Sequence, residues 1–176
     1  MWLISSWPLL MRKRGSHSSP ILKYKNYYNY AQGYALALLG RKLFNEDIVC
    51  WAHGPVVKSI YYQYKAYGKS PLPPSFIEMT KYDEDELCIL NHVRYEYGQY
   101  TAWKLRNMTH DEAPYLNTPS GDVMNEECIK DFFVNKISQN TFSFDLEMMK
   151  SRVEGKFVKM PSDVGKDSFF EWVKSI

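Results

Sequence analysis

The chain of 176 residues has no CxxC pair. Its three cysteines, Cys50, Cys88 and Cys128, are odd in number and far apart, which excludes a zinc ribbon or a thioredoxin-like redox motif at the motif level. Each sits beside apolar residues, as small buried thiols do in a reducing cytoplasm, where the protein is expected to reside. Histidine is scarce too: the four residues form neither HExxH nor HxH, so no metal, cofactor or catalytic residue is expected. Charge of one sign is lacking. Against 20 Asp and Glu stand 22 Lys and Arg, a net +2 that creates no sustained field for a polyanion, and nucleic acid is not an expected partner. The one markedly basic run, Arg12-Lys13-Arg14, reads as a solvated tail. The apolar opening, Met1 to Leu10, is too short to cross a bilayer and precedes its basic residues, so neither a membrane role nor a secretory signal is expected.

What the chain has in quantity is aromatic side chains: 14 Tyr, 9 Phe and 5 Trp. Tyr and Trp bury apolar area while keeping a polar tip, so they supply both a core and an adhesive surface. With 45% hydrophobic and 24% charged residues, the length suits one globular domain with a real core.

Tyr24, Tyr27, Tyr28, Ala31, Tyr34, Ala35 and Leu38 recur at three- and four-residue steps, which predicts an amphipathic helix over 22–38, closed by Gly40. A second helix is expected to begin at His53-Gly54-Pro55, with proline in its first turn, and to run through Ile60, Tyr61 and Tyr64 to Gly68. Between them, Leu43 to Trp51 reads as a turn or short extended segment that folds Phe44 and Trp51 onto the helices. The prolines at 71, 73 and 74 mark a loop. Asp83 with Glu86 forms a capping box for a helix carrying Leu87, Leu90, Val93 and Tyr97, and Thr101 can cap a shorter one carrying Trp103, Leu105 and Met108. That helix pair has a superficial helix-turn-helix look, but its second member offers only Lys104 and Arg106 as basic residues. Asn125-Glu126-Glu127 opens a helix with the stripe Ile129, Phe132, Phe133 and Ile137; Asn140 breaks it. Leu146, Met149 and Val153 mark a further helix, and Asp167 to Ile176 holds a short amphipathic pattern. The fold expected is mainly α, a single compact helical domain, allowing a small two-stranded β element near Leu43 to Cys50.

The strings Leu22-Lys23 through Tyr30-Ala31-Gln32-Gly33, then Leu43-Phe44, Trp51-His53-Gly54-Pro55-Val56-Val57, Tyr67-Gly68 and Thr109-His110 resemble the Panacea antitoxin domain, a family with GepA-like and SocA-like phage-associated members. The likeness runs over about 22–133. It divides the chain into an atypical N-terminal segment 1–20, a Panacea-like helical domain 21–138 and a variable C-terminal helical extension 139–176 packed on it. What it implies is an antitoxin that neutralises a cognate protein toxin by direct binding. It also implies, as alternatives, an adaptor delivering a toxin to a ClpXP-type protease, or a phage-encoded inhibitor of a host defence enzyme, and it allows a small homo- or hetero-oligomer. No chemical step is required of such a chain, and an enzyme is not expected.

Thr109-His110-Asp111-Glu112 invites a catalytic reading, but His17, His53 and His92 show no pairing with it at ligand spacing. His110 is expected to hold the end of its helix through a side-chain-to-backbone hydrogen bond. His53, beside an expected helix N-terminus, should be a neutral ring packed near Trp51. The candidate protein contacts are therefore Trp51, His53, His110 and Tyr115, and, in the extension where the likeness fades, Phe169, Phe170 and Trp172, whose helical spacing suits a partner groove.

Overall fold

The computed structural model describes residues 20–68, 70 and 81–139, with side chains from Lys23 onward. The aromatic-rich run forms α1, Pro20–Leu39, and Gly40 ends it at φ 65°, a left-handed conformation that glycine adopts without strain. Every residue from Lys25 to Leu36 is buried. The helix is thus enclosed on all sides rather than amphipathic, because its Tyr, Asn, Gln and Lys positions are covered as well as its apolar ones. It is the axle of the fold.

The expected helix at His53-Gly54-Pro55 is a strand instead. Ile48–Trp51 (β1) and Gly54–Val57 (β2) pair antiparallel, Ile48 opposite Val57 and Cys50 opposite Pro55, around the two-residue turn Ala52-His53. β-branched Ile48, Val49, Val56 and Val57 favour the pleat, Gly54 supplies φ 105°, and Pro55 is tolerated because a two-stranded ribbon leaves β2 an open edge. The small two-stranded sheet expected near Leu43 to Cys50 is thus present, its first strand overlapping that segment. The other edge of β1 is covered by 121–124: Cys50 N–H donates to Asp122 at 2.9 Å, and Met124 N–H to Ile48 at 2.8 Å. The helix after the hairpin, α2, spans Lys58–Tyr64 and passes into a 3-10 turn, Lys65–Tyr67.

Helix α3, Glu84–Gly98, begins with the reciprocal capping box of Asp83 and Glu86, and Arg41 pairs with both carboxylates. Lys23 donates to the Gly98 carbonyl at its far end, 2.7 Å away. Thr101 caps α4, Ala102–His110; a single turn, α5 (Ala113–Leu116), follows, and α6 spans Glu126–Gln139. Around α1 pack α3, α4, α6 and β2. Among the described residues no helix is long and apolar enough to cross a membrane. The proline loop, and the patterns from Asn140 to Ile176, lie outside the described residues.

One short string of α1, Tyr30-Ala31-Gln32, holds this arrangement. Tyr30 stacks on Tyr97 at 3.7 Å, and Ala31 is fully buried. Gln32 uses its whole amide: Nε2 donates to the Phe44 carbonyl at 3.0 Å, while Oε1 accepts from Leu43 and Phe44 N–H at 3.0 and 3.2 Å. That clamp seats Phe44 against Tyr28. Gln32→Ala strands three buried backbone groups and is expected to lower stability by about 3 kcal/mol, measured by chemical denaturation.

Candidate protein-binding face

The hairpin turn is fixed from three sides, and the fixing residues are mostly those that the sequence singles out. His110, the last residue of α4, places Nδ1 2.7 Å from the Arg106 carbonyl and Nε2 3.1 Å from the Ala52 carbonyl, so its ring bridges the end of its helix and the turn, with the N–H of a neutral ring donating to one of the two. Its ring lies on that of Tyr115, centroids 4.1 Å apart, and the Tyr115 hydroxyl donates to the Trp51 carbonyl at 2.9 Å. Thr109 donates to the Arg106 carbonyl at 2.9 Å. A methyl on Gly54 would meet Asn26 Oδ1 at 3.2 Å and Thr109 Oγ1 at 3.3 Å, so the turn also needs glycine for want of space. The Thr109-His110-Asp111-Glu112 string does not converge. Glu112 points inward to Lys136, 3.1 Å away, while Asp111 is exposed. Burial raises the Glu112 carboxyl above its usual range, against the opposing pull of Lys136.

Trp51, His110 and Tyr115 are therefore drawn together, chiefly as the frame of the turn. Trp51 is half-buried, its ring edge-on to Tyr61 at 4.9 Å and near Tyr62 at 6.5 Å. His53 is exposed at the turn and not at a helix N-terminus, because the chain there is hairpin. Phe169, Phe170 and Trp172 lie outside the described residues.

The structure adds residues that sequence reasoning passed over. Trp103 is 62% exposed and Tyr62 is 55% exposed; Tyr62 lies near Trp51 of the hairpin, and Trp103 lines a pocket with His53 of its turn. The signal for Trp103 is its phase: Ala102, Leu105 and Thr109 define the buried side of α4 and leave Trp103 outside it. Behind it, Lys25, His53, Ala102, Trp103 and Arg106 line a pocket of about 90 Å3. Lys25 is 7% exposed, and its ammonium donates to the His53 carbonyl. Burial first, and the Arg106 charge second, push Lys25 down to about 8. The Arg106 guanidinium lies 5.5 Å from the Trp103 ring centroid and reaches the Ala52 carbonyl at 3.4 Å and Asn107 Oδ1 at 3.2 Å, while its buried Nε has no partner. Among the described residues no three His, Cys, Asp or Glu side chains are grouped to hold a metal.

A known family, described as antitoxin SocA-like, Panacea domain, matches residues 27–115, from within α1 to Tyr115 of α5. Among curated proteins and solved structures nothing matches this chain.

Proposed function

Because the chain belongs to the SocA-like antitoxin family that carries the Panacea domain, we propose that it neutralises a cognate protein toxin by binding it directly, with the face around Trp103, Trp51 and Tyr62 as the contact. The observation that carries the choice of face is the exposure of Trp103 on a short helix whose other side is locked into the core. An aromatic ring presented by a rigid backbone loses little freedom on binding and buries a large area, which is why Trp and Tyr dominate binding hot spots. The hydrogen bonds from His110 and Tyr115 hold the hairpin rigid, so that Trp51 and His53 are presented in a set conformation. Such a scaffold acts sterically: it covers the toxin's working surface and transfers no group.

Co-expression with the protein encoded beside it tests this. The wild-type chain is expected to restore growth of cells making that toxin and to co-purify with it. Trp103→Ala, which removes an outward ring, should fold normally yet weaken the complex by roughly 30-fold or more. Full protection by the variant would remove this face from the account, and a wild-type chain that neither protects nor co-purifies would remove the antitoxin reading itself.

A further inference from the structure

Two cations meet in the pocket behind Trp103, with no anion between them among the described residues. Lys25 is nine-tenths buried, and its acceptor there is a neutral carbonyl; Arg106 likewise contacts only a carbonyl and an amide oxygen. Among the described residues neither forms an ion pair. Buried charges are ordinarily paired, because desolvation is costly and like charges add to the cost. Among the described residues this pocket therefore holds a buried ammonium and a partly buried guanidinium with no carboxylate to balance them.

We propose that this pocket receives the carboxylate of an Asp or Glu side chain from the toxin, a proposal that rests on the antitoxin reading above. The Arg106 guanidinium offers N–H groups in a fork that matches a carboxylate, and its outer nitrogens now spend themselves on a long bond to the Ala52 carbonyl at 3.4 Å and on Asn107 Oδ1. Lys25 supplies the second charge from the floor. Ala102 and the Trp103 ring provide apolar walls for the methylene stem. Size selects the source of the carboxylate. A pocket of about 90 Å3 that opens to solvent takes in a CH2–COO− tip while the backbone carrying it stays outside, which a carboxylate on a methylene stem does more readily than a C-terminal carboxylate attached directly to the main chain. A phosphodiester chain is a poorer occupant, because the net charge of +2 provides no basic track leading away from the pocket.

The test uses the full chain, isotopically labelled, and a blocked aspartate (N-acetyl-aspartate N-methylamide) against the blocked asparagine isostere at constant ionic strength. Saturable NMR shifts at the Trp103 indole N–H and the Arg106 amide are expected with the aspartate probe, and at least tenfold weaker binding with asparagine. Lys25→Met should melt no lower than the parent, since it removes a desolvated charge, yet lose aspartate binding at least tenfold; a purely structural lysine would show the reverse. Equal binding of the two probes, shifts centred elsewhere, tighter binding of inorganic phosphate than of aspartate, or retained binding by Lys25→Met would each overturn the proposal. If the toxin co-purifies while the aspartate probe leaves the pocket untouched, the pocket proposal fails and the antitoxin reading stands. If the probe binds as expected but no toxin is neutralised, the antitoxin reading fails and the pocket remains.

Discussion

At pH 11 the protein is expected to be largely unfolded, after passing through a shallow stability maximum near pH 9. Tyr27, Tyr28, Tyr30, Tyr34 and Tyr97 are buried in one cluster around α1, and burial raises every one of these phenols; Tyr34 is pushed up to about 12. In the unfolded chain they release protons near pH 10, while in the folded chain they keep them. Above that value the unfolded state holds fewer protons, so stability falls with rising pH. Each phenol contributes about 1.4 kcal/mol per pH unit, so five remove about 7 kcal/mol by pH 11. That is comparable to the whole stability of a small domain, about 5–15 kcal/mol. Lys25 acts in the opposite sense at lower pH. Its folded value is depressed to about 8, so between 8 and the unfolded value of 10.5 the unfolded state binds more protons and stability rises. The gain from pH 7 to 9 is about 1 kcal/mol before the phenols dominate. Denaturant titrations followed by circular dichroism at pH 7, 9, 10 and 11 would trace this profile, and Lys25→Met should flatten its rising limb. A midpoint at pH 11 equal to that at pH 7 would contradict the account of the core.

Gly33→Ala is the second change with a large expected effect, and its sign runs against ordinary helix chemistry. Within a helix Ala is better than Gly by about 1 kcal/mol. Here a Cβ would lie 2.2 Å from two ring atoms of Phe133 and 2.6 Å from a third. The ring cannot swing away: Phe133 is fully buried, edge-on to Tyr30 at 6.1 Å, Tyr34 at 5.0 Å and Phe132 at 5.4 Å. Steric conflict therefore wins, and the variant should lose at least about 3 kcal/mol as α6 is pushed off α1. Adding Phe133→Leu to Gly33→Ala should recover part of the loss, so that the double variant is more stable than the sum of the two single effects. An alanine variant as stable as the parent would show that α6 does not approach α1 so closely.

The parts of the fold legible in the sequence are those with short-range causes. The α1 periodicity, its Gly40 stop, the Asp83–Glu86 capping box, the Thr101 cap and the acidic opening of α6 all involve residues within a turn of one another. The hairpin is hidden in the sequence because His53-Gly54-Pro55 suits a helix start as well as a strand after a turn. The deciding signal was the β-branched pairs Ile48-Val49 and Val56-Val57 flanking two turn residues. The full burial of α1 depends on α3, α4, α6 and β2 closing around it, which no local pattern reports. Of the candidate site, the motif residues Trp51, His110 and Tyr115 do meet, but as the frame of the turn. The Lys25–Arg106 pocket is invisible in one dimension, since it joins the start of α1 to the first half of α4 across the hairpin.

The central claim is that this chain acts by holding another protein. Size-exclusion chromatography with light scattering on this chain co-expressed with the protein encoded beside it, the proposed toxin, addresses it most directly. The account predicts one species that contains both intact chains, with the toxin inactive in the complex and active again once separated. A toxin that is recovered alone, chemically altered and still inactive after this chain is removed would contradict it.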